Sequence, residues 1–247
     1  FPNGKIPCIV DARGADPTVE HDSHGQMIYL IMQVYHYTHD AAWLRTKWNT
    51  VVKTVRFIQS LRAQRKTDVY LHGTPEQQAC YGLVPESISH EGYAAKPMHS
   101  YWDNTFILRG LKDAAAIARI LGEKQAEAEF AAERDDFAKD FYASINRAMR
   151  NLDVDFIPGC VELGDHDATS TTVALAPGYE LGRLPQPALQ RTFDRYYDKF
   201  LRRRDGPQDW YDLTPYETRV IGSFVLLGQK DRSTAVMEYF MDLRRPA

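Results

Sequence analysis

The sequence predicts an all-α fold, in which about four helical hairpins form one incomplete α/α toroid over residues 1–247 as a single domain. Two observations lead to this prediction. Apolar residues recur at helical spacing along most of the chain, and segments that are apolar on every side alternate with segments that carry one apolar stripe. A helix that is apolar on every side is buried, whereas a striped helix covers it from outside. The alternative is an irregular helical domain.

The predicted hairpins follow one another along the chain. Each pairs a broadly apolar inner segment with a striped outer one, in the order 26–37 with 44–61, 106–121 with 130–149, 169–176 with 189–200, and 216–227 with 236–243. Two of the turns share the pattern L-G-[E/Q]-K, at residues 121–124 and 227–230. A glycine directly after a helix is typical of a C-terminal cap, so these turns support the predicted pairs.

Composition limits the function classes. The chain has 33 acidic and 30 basic residues and a net charge of −3, which argues against binding to nucleic acid or to an anionic membrane. No apolar run approaches the roughly 20 residues of a membrane span. The three cysteines are far apart, which argues against a disulfide scaffold or a zinc ribbon and leaves the compartment open, a periplasmic or secreted location included. The chain begins without methionine, which we interpret as a piece of a longer polypeptide.

The segments that lead into the inner helices are the predicted site. Inner helices of a toroid run parallel, so their N-terminal ends meet on one face. The four segments are rich in carboxylates and aromatic rings, and they are residues 20–25, 100–104, 164–170 and 210–217. Residues 66–100 are too long and polar for a passive connection, which favours a binding loop that carries Glu86 and Glu91.

One of these segments resembles a known signature. The run Tyr101-Trp102-Asp103-Asn104-Thr105-Phe106, followed by Arg109-Gly110-Leu111, resembles the tryptophan–aspartate signature of trehalases. The chain is therefore similar to the six-hairpin glycosidase superfamily, which includes trehalases, glucoamylases and processing glucosidases. The resemblance implies a six-hairpin toroid and a glycosidase activity that inverts the anomeric centre. It also implies that Trp102 and Asp103 hold the sugar in the cleaved subsite.

Glycoside cleavage needs one carboxylic acid that protonates the leaving oxygen and a second carboxylate as base or nucleophile. We predict Asp167 as the acid, with its pKa raised by the neighbouring charge of Asp165, and Glu217 as the base. Asp103 completes the predicted catalytic residues as the carboxylate that binds sugar hydroxyls. The predicted substrate-binding residues are Asp22, His24, Glu86, Glu91, Tyr101, Trp102, Trp210 and Tyr216. The competing interpretation of Asp22, Asp103 and Asp167 is helix capping, for which aspartate is favoured.

Other functions stay open. The imidazoles of His21 and His24, with Asp22 beside them, could begin a metal site. No further ligand is identifiable, so the sequence predicts no metal and no cofactor. A sugar epimerase or polysaccharide lyase would use histidine or tyrosine as the proton carrier. A non-catalytic carbohydrate-binding or scaffold fragment is the alternative outside enzymes. The predicted partner is an oligo- or polysaccharide. Because absent hairpins would leave apolar surface exposed, self-association or contact with the rest of a parent chain is also expected.

Overall fold

The computed structural model describes residues 1–90, 92–206 and 214–243. It is mostly helical, with 64% helix and 3% strand, which confirms the all-α class. Strand pairing in the described residues includes a short antiparallel hairpin of β1 (Val10–Asp11) and β2 (Gly14–Ala15), in which Val10 pairs with Ala15. In the same ranges, no helix combines the length and the apolar character needed to cross a membrane.

The helices follow the predicted order. They are α1 (Asp22–Thr38), α2 (Ala41–Ala63), α3 (Asp68–His72), α4 (Pro75–Cys80), α5 (Tyr101–Ile120), α6 (Lys124–Asn151), α7 (Ala168–Leu175), α8 (Ala188–Asp205), α9 (Arg219–Leu226) and α10 (Lys230–Asp242). A 3-10 helix, Pro215–Thr218, leads into α9. The helices α1, α5, α7 and α9 contact one another in chain order, and each contacts the outer helix of its hairpin: α2, α6, α8 or α10. The predicted pairing of consecutive helices is therefore observed. Helices α5 and α7 are mostly buried, as predicted, whereas α1 and α9 are not, because apolar side chains such as Leu30 and Val225 are exposed.

Helices α1 and α5 begin earlier than the apolar runs that predicted them, whereas α9 begins later, at Arg219, after the 3-10 helix. Helix α1 begins at Asp22 and α5 at Tyr101, and polar side chains such as His24 and Asp103 are buried in their first turns. His24 bonds the carbonyl oxygen of His21, and Asp103 accepts from Ser87, so both are buried without an apolar signal in the sequence. The predicted loop 66–100 also contains two short helices, and Thr74 begins the second of them with a capping box.

Two glycines bring the backbones of α1 and α5 into direct contact. A Cβ atom on Gly25 would lie 1.8 Å from the carbonyl oxygen of Phe106, and a Cβ atom on Gly110 would lie 2.6 Å from the Cα of Gly25. No side chain fits at either position unless the helices separate. The contact therefore sets the relative height of the two helices, and with it the positions of Asp22 and Trp102 in their first turns.

Apolar side chains are exposed at the last hairpin, as the sequence predicts. Val225 and Leu226 of α9, together with Met237 and Met241 of α10, are exposed. Leu30 is also exposed, on the first inner helix. Self-association, or contact with further chain, stays a prediction.

Candidate functional site

The candidate site begins where the first turns of α1 and α5 meet. Ser100 caps α5, and its hydroxyl accepts a 3.1 Å hydrogen bond from the backbone N–H of Trp102. The indole Nε1–H of Trp102 donates to Asp22 Oδ2 at 2.7 Å, and Gln26 Nε2 donates to the same oxygen at 2.8 Å. These two donors stabilise the anion, whereas burial raises the pKa of Asp22 above its usual value.

Asp103 lies behind this pair, in the interior. Its side chain is 1% exposed; Oδ2 accepts from the hydroxyl of Ser87 and from the backbone N–H of His21, while the buried Oδ1 has no hydrogen-bond partner. Burial and, second, the charge of Asp22 raise the pKa of Asp103 to about 7. A proton on Oδ1 therefore relieves the like-charge repulsion between the two carboxyl groups near neutral pH.

His90 contacts Trp102 from the loop that precedes α5. The two rings are stacked, with centroids 4.3 Å apart and an angle of 14° between their planes. Ser89 and His90 both have positive φ angles, of 40° and 38°, which is uncommon for residues other than glycine. Burial lowers the pKa of His90, and the negative charges of Asp167 and Asp22 oppose that shift. Strained backbone of this kind clusters at functional sites, so the loop is part of the candidate site.

Arg219, the first residue of α9, covers the same indole. Its guanidinium carbon lies 4.7 Å from the ring centroid of Trp102 and 4.8 Å from that of Tyr216. Both distances are typical of cation–π contacts. Trp102 is thus held by Asp22, His90 and Arg219, and only 5% of its surface is exposed.

Two cavities open on the sides of this cluster. The larger cavity measures about 750 Å³, and its lining includes Ser23, Gln26, Trp102, Phe106, Tyr179 and Arg219. The smaller cavity measures about 370 Å³, and its lining includes His90, His166, Asp167, Tyr196, Tyr216 and Glu217. His90 lines the smaller cavity and stacks on Trp102, which lines the larger one. The two cavities are therefore neighbours.

Asp167 lies at the wall of the smaller cavity and caps α7. Its carboxylate accepts from the backbone N–H of Ser170 at 2.9 Å and from the hydroxyl of the same serine. The capping interpretation of this residue is thus confirmed, and the cap leaves the side chain at the cavity. Asp165, predicted to act on it by charge, accepts a 2.7 Å hydrogen bond from the hydroxyl of Tyr93.

Glu217 lines the same cavity from the 3-10 helix. Arg203 Nη1 donates to Glu217 Oε2 at 2.7 Å, and the hydroxyl of Tyr196 donates to that oxygen at 2.8 Å. The side chain is 5% exposed. Arg203 and Tyr196 therefore fix the position of the Glu217 carboxylate at the wall of the cavity.

Three predicted binding residues lie elsewhere. The hydroxyl of Tyr101 bonds Ser144 at 2.9 Å inside the core. His24 is fully buried and stacks on Phe57, with ring centroids 4.9 Å apart. Glu86 lies in a separate polar cluster, where Arg65 donates to its carboxylate.

Two further predicted residues, Glu91 and Trp210, lie outside the described residues. The sequence prediction also missed Arg219 and Ser87. A hydroxyl buried against a carboxylate has no distinctive pattern in a sequence, and neither does a single arginine beside a tryptophan. His90 and Tyr93 lie in the predicted binding loop 66–100, but they are not among the predicted site residues.

The structure therefore brings Asp22, Trp102 and Asp103 into one cluster. Asp167, Tyr216 and Glu217 line the cavity beside it. Comparison of the chain with protein-family models, with curated proteins and with solved structures found no match in any of the three.

Proposed function

We propose that this chain is a carbohydrate-active enzyme of the six-hairpin type, a hydrolase that cleaves a glycosidic bond with inversion by carboxylic acid/base catalysis. One observation carries the proposal: Asp167 and Glu217 line the same cavity of about 370 Å³, beside an indole that is fixed by a carboxylate. Two carboxyl groups across a cleft are the minimum that glycoside hydrolysis requires. Aromatic and polar walls are typical of sites that bind small ligands.

The proposed architecture is an incomplete α/α toroid. The contacts of α1, α5, α7 and α9 in chain order support it, since inner helices of a ring meet their neighbours in this way. The site supports it as well, because the N-terminal turns of α1 and α5 share the bond between Asp22 and Trp102, and the charge of Asp167 at α7 acts on His90.

The carboxyl groups would have different roles. Asp167 is partly exposed at the cavity, so it can reach a glycosidic oxygen and donate a proton to it. Glu217 is held at the wall of the same cavity by Arg203 and Tyr196, so it is the second carboxylate and would accept a proton from an attacking water molecule. Asp103 is too deeply buried to touch a sugar, and we assign it a positioning role, through Ser87, on the loop that carries His90.

The substrate class is an oligo- or polysaccharide. Tyr216 is half exposed at the smaller cavity, so its ring is available to stack on a sugar face. The ring of Trp102 is covered by His90 and Arg219, so a sugar would reach its edge from the larger cavity unless Arg219 moves.

The test is the release of reducing ends from a panel of oligosaccharides that differ in sugar, linkage and anomeric configuration. We expect at least one substrate to be cleaved, with the opposite anomer as the first product in a proton NMR time course. Retention of configuration would contradict the inverting mechanism. Binding of sugars without any release would favour the carbohydrate-binding fragment over the hydrolase.

A second candidate follows from the histidines of the same cavity. His90 and His166 both line it, and burial lowers the pKa of each, which favours the neutral ring that accepts a proton. A polysaccharide lyase or sugar epimerase needs such a base beside the carbon that loses its proton. A product that absorbs in the ultraviolet, released from an acidic polysaccharide, would support the lyase and contradict the hydrolase.

A further inference from the structure

Three side chains of metal-ligand type converge beside Glu86, close to the N-terminal end of α5. Cys80 ends α4, His99 directly precedes the cap of α5, and Glu162 lies in the loop after α6. The Sγ atom of Cys80 lies 3.4 Å from His99 Nδ1, and Glu162 Oε1 lies 2.5 Å from the same nitrogen. All three donor atoms lie within 4.8 Å of one another. We propose that Cys80, His99 and Glu162 bind one Zn²⁺ ion, with water as the fourth ligand.

The distances are close to those of a tetrahedral zinc site. Zinc lies about 2.3 Å from sulfur and about 2.0 Å from nitrogen and oxygen, so a tetrahedral sulfur and nitrogen are about 3.5 Å apart. The observed separation of Cys80 and His99 already matches this value. The oxygen of Glu162 has to withdraw from the imidazole by less than about 1 Å. Glu162 lies in a loop, so this movement requires no change in a helix.

Metal binding at His99 requires one change of tautomer and the loss of one hydrogen bond, the one that Arg65 donates. Arg65 Nε donates to His99 Nε2 at 3.0 Å, so without a metal the ring proton is on Nδ1 and is donated to Glu162. When zinc binds Nδ1, that proton is replaced and Nε2 carries the ring proton, so Arg65 Nε, which is also a donor, has to turn away from Nε2. Glu86 Oε2 lies 3.5 Å from Nε2 and can accept this proton, while Arg65 keeps its ion pair with Glu86.

This arrangement is a carboxylate–histidine–metal relay, the usual support of a zinc-bound histidine. The balance of protons is simple. The Cys80 thiol loses its proton to solvent and binds as the thiolate, the ring proton of His99 moves from one nitrogen to the other, and Glu162 binds as the anion. One proton is therefore released for each Zn²⁺ ion bound.

A cavity gives access to the three ligands. It measures about 270 Å³, and its lining includes Tyr70, Cys80, Glu86, Lys96, His99 and Glu162. This space admits an ion and leaves room for the water that completes a four-coordinate site. A cluster of the same side chains without an opening would offer neither a path for the ion nor room for the water molecule.

The proposed ion would connect segments that reach the candidate catalytic site. His99 follows the bridge between Ser87 and Met98, and Glu162 follows the bridge between Ser100 and Cys160. Zinc would therefore link three segments: the end of α4, the end of the loop that carries His90, and the loop after α6. The proposal does not depend on the hydrolase activity, since the ligands are different residues from those of the two cavities.

The test uses Co²⁺ as a spectroscopic probe in place of Zn²⁺. The reduced protein, freed of metal with a chelator, is titrated with Co²⁺ and then with Zn²⁺. We expect a thiolate-to-cobalt charge-transfer band that saturates at one equivalent and disappears when zinc displaces cobalt. Cys80→Ala should lose the band, and Glu86→Gln should keep it with affinity about 10- to 100-fold weaker. Cys160→Ala, a variant at a buried thiol outside the cluster, and Cys8→Ala should keep the wild-type affinity.

The absence of the band in the folded wild-type protein would overturn the proposal, and so would a band that persists in Cys80→Ala or disappears in Cys8→Ala. Because Cys80 is buried, Cys80→Ala could unfold the chain. Glu162→Gln is therefore the second variant, since it keeps the size of the side chain and removes its charge. We expect zinc to raise the melting temperature of the wild type and not that of Glu162→Gln, and equal shifts in the two proteins would also overturn the proposal.

Discussion

The indole N–H of Trp102 donates a 2.7 Å hydrogen bond to Asp22 Oδ2 and so joins the first turns of two helices, 80 residues apart in the chain. Because of this bond, the carboxylate of Asp22 is hydrogen-bonded although it is buried. A tryptophan beside an aspartate in a sugar-binding signature suggests an open ring for stacking. Here the same tryptophan supports a second aspartate from another helix.

Replacing Trp102 by phenylalanine removes this donor and leaves the carboxylate of Asp22 buried. We expect the free energy of unfolding to fall by about 1.5–3 kcal/mol, the contribution of a hydrogen bond to a charged group, while Gln26 remains a donor to the same oxygen. Urea unfolding measures the loss. Trp48→Phe is the matched control, because Trp48 packs on Phe130 with ring centroids 5.9 Å apart. Equal losses in both variants would show that ring volume, and not the hydrogen bond, stabilises this region.

Asp167→Asn should lower kcat at least about a hundredfold on any substrate that the wild type cleaves, which is the effect of losing a general acid. Asparagine is also a good N-cap, so α7 should remain folded and circular dichroism should be unchanged. Asp135→Asn is the control, since Asp135 is exposed on α6 and pairs with Arg134. Wild-type turnover in Asp167→Asn would remove Asp167 from the catalytic role.

Asp103 should make stability depend on pH. Burial raises its pKa to about 7, from about 3.9 in an unfolded chain, so the folded state holds the proton over that range. Its contribution is fully present below about pH 4 and is lost as the pH rises through 7. Asp103→Asn cannot titrate, so its stability relative to the wild type should improve by up to about 1.4 kcal/mol per pH unit across this range. Urea unfolding between pH 5 and 8 measures the difference, and a constant difference would contradict the assignment.

His24 should have the opposite dependence. Burial lowers its pKa from 6.5 to about 4, so between these two pH values the ring is protonated in the unfolded chain and neutral in the folded chain. The resulting stability is present above pH 6.5 and is lost as the pH falls towards 4. His24→Phe keeps a ring against Phe57 and should decline less on acidification than the wild type does. His72→Phe, at an exposed position, should follow the wild type. A decline as steep as that of the wild type in His24→Phe would contradict the prediction.

Gly110→Ala should destabilise the chain severely, because the new Cβ would lie 2.6 Å from the Cα of Gly25. Relief requires α1 and α5 to separate, which opens the core. Gly222→Ala is the control in α9, where a Cβ meets nothing within 4 Å. That variant should be stabilised by about 0.5–1 kcal/mol through helix propensity. Thermal melting of the two variants should shift in opposite directions, and similar melting temperatures would contradict the close contact.

The helical hairpins could be predicted because their signal is distributed over many residues. Apolar runs such as 106–121 identify an inner helix even though its exact start, at Tyr101, is hidden by polar residues. The convergence of Asp22, Trp102 and Asp103 followed from one topological argument, that the N-terminal ends of inner helices meet. Direction of the side chains could not be predicted in the same way. Tyr101 and Trp102 are neighbours in the sequence, yet the hydroxyl of Tyr101 points into the core towards Ser144, whereas the ring of Trp102 lines a cavity.

Partners of a carboxylate were also beyond reach of the sequence. The pairing of Glu217 with Arg203 depends on where α8 ends against the 3-10 helix, and the bond between Asp103 and Ser87 depends on the path of a loop. Likewise, Cys80, His99 and Glu162 have no recognisable ligand spacing, since they come from three separate segments. Contacts of this kind depend on tertiary structure alone.

The glycine contact between α1 and α5 has a consequence for recognising related chains. An insertion or deletion between Asp22 and Gly25, or between Trp102 and Gly110, would move a carboxylate or an indole along its helix while the backbones stayed locked together. Length changes in the turn after α1 or in the segment between α4 and α5 leave that alignment intact. Relatives that have diverged widely should therefore keep the two spacings, D-x-x-G in one helix and W-D followed by glycine two turns later in the other, even where little else in their sequences can be aligned.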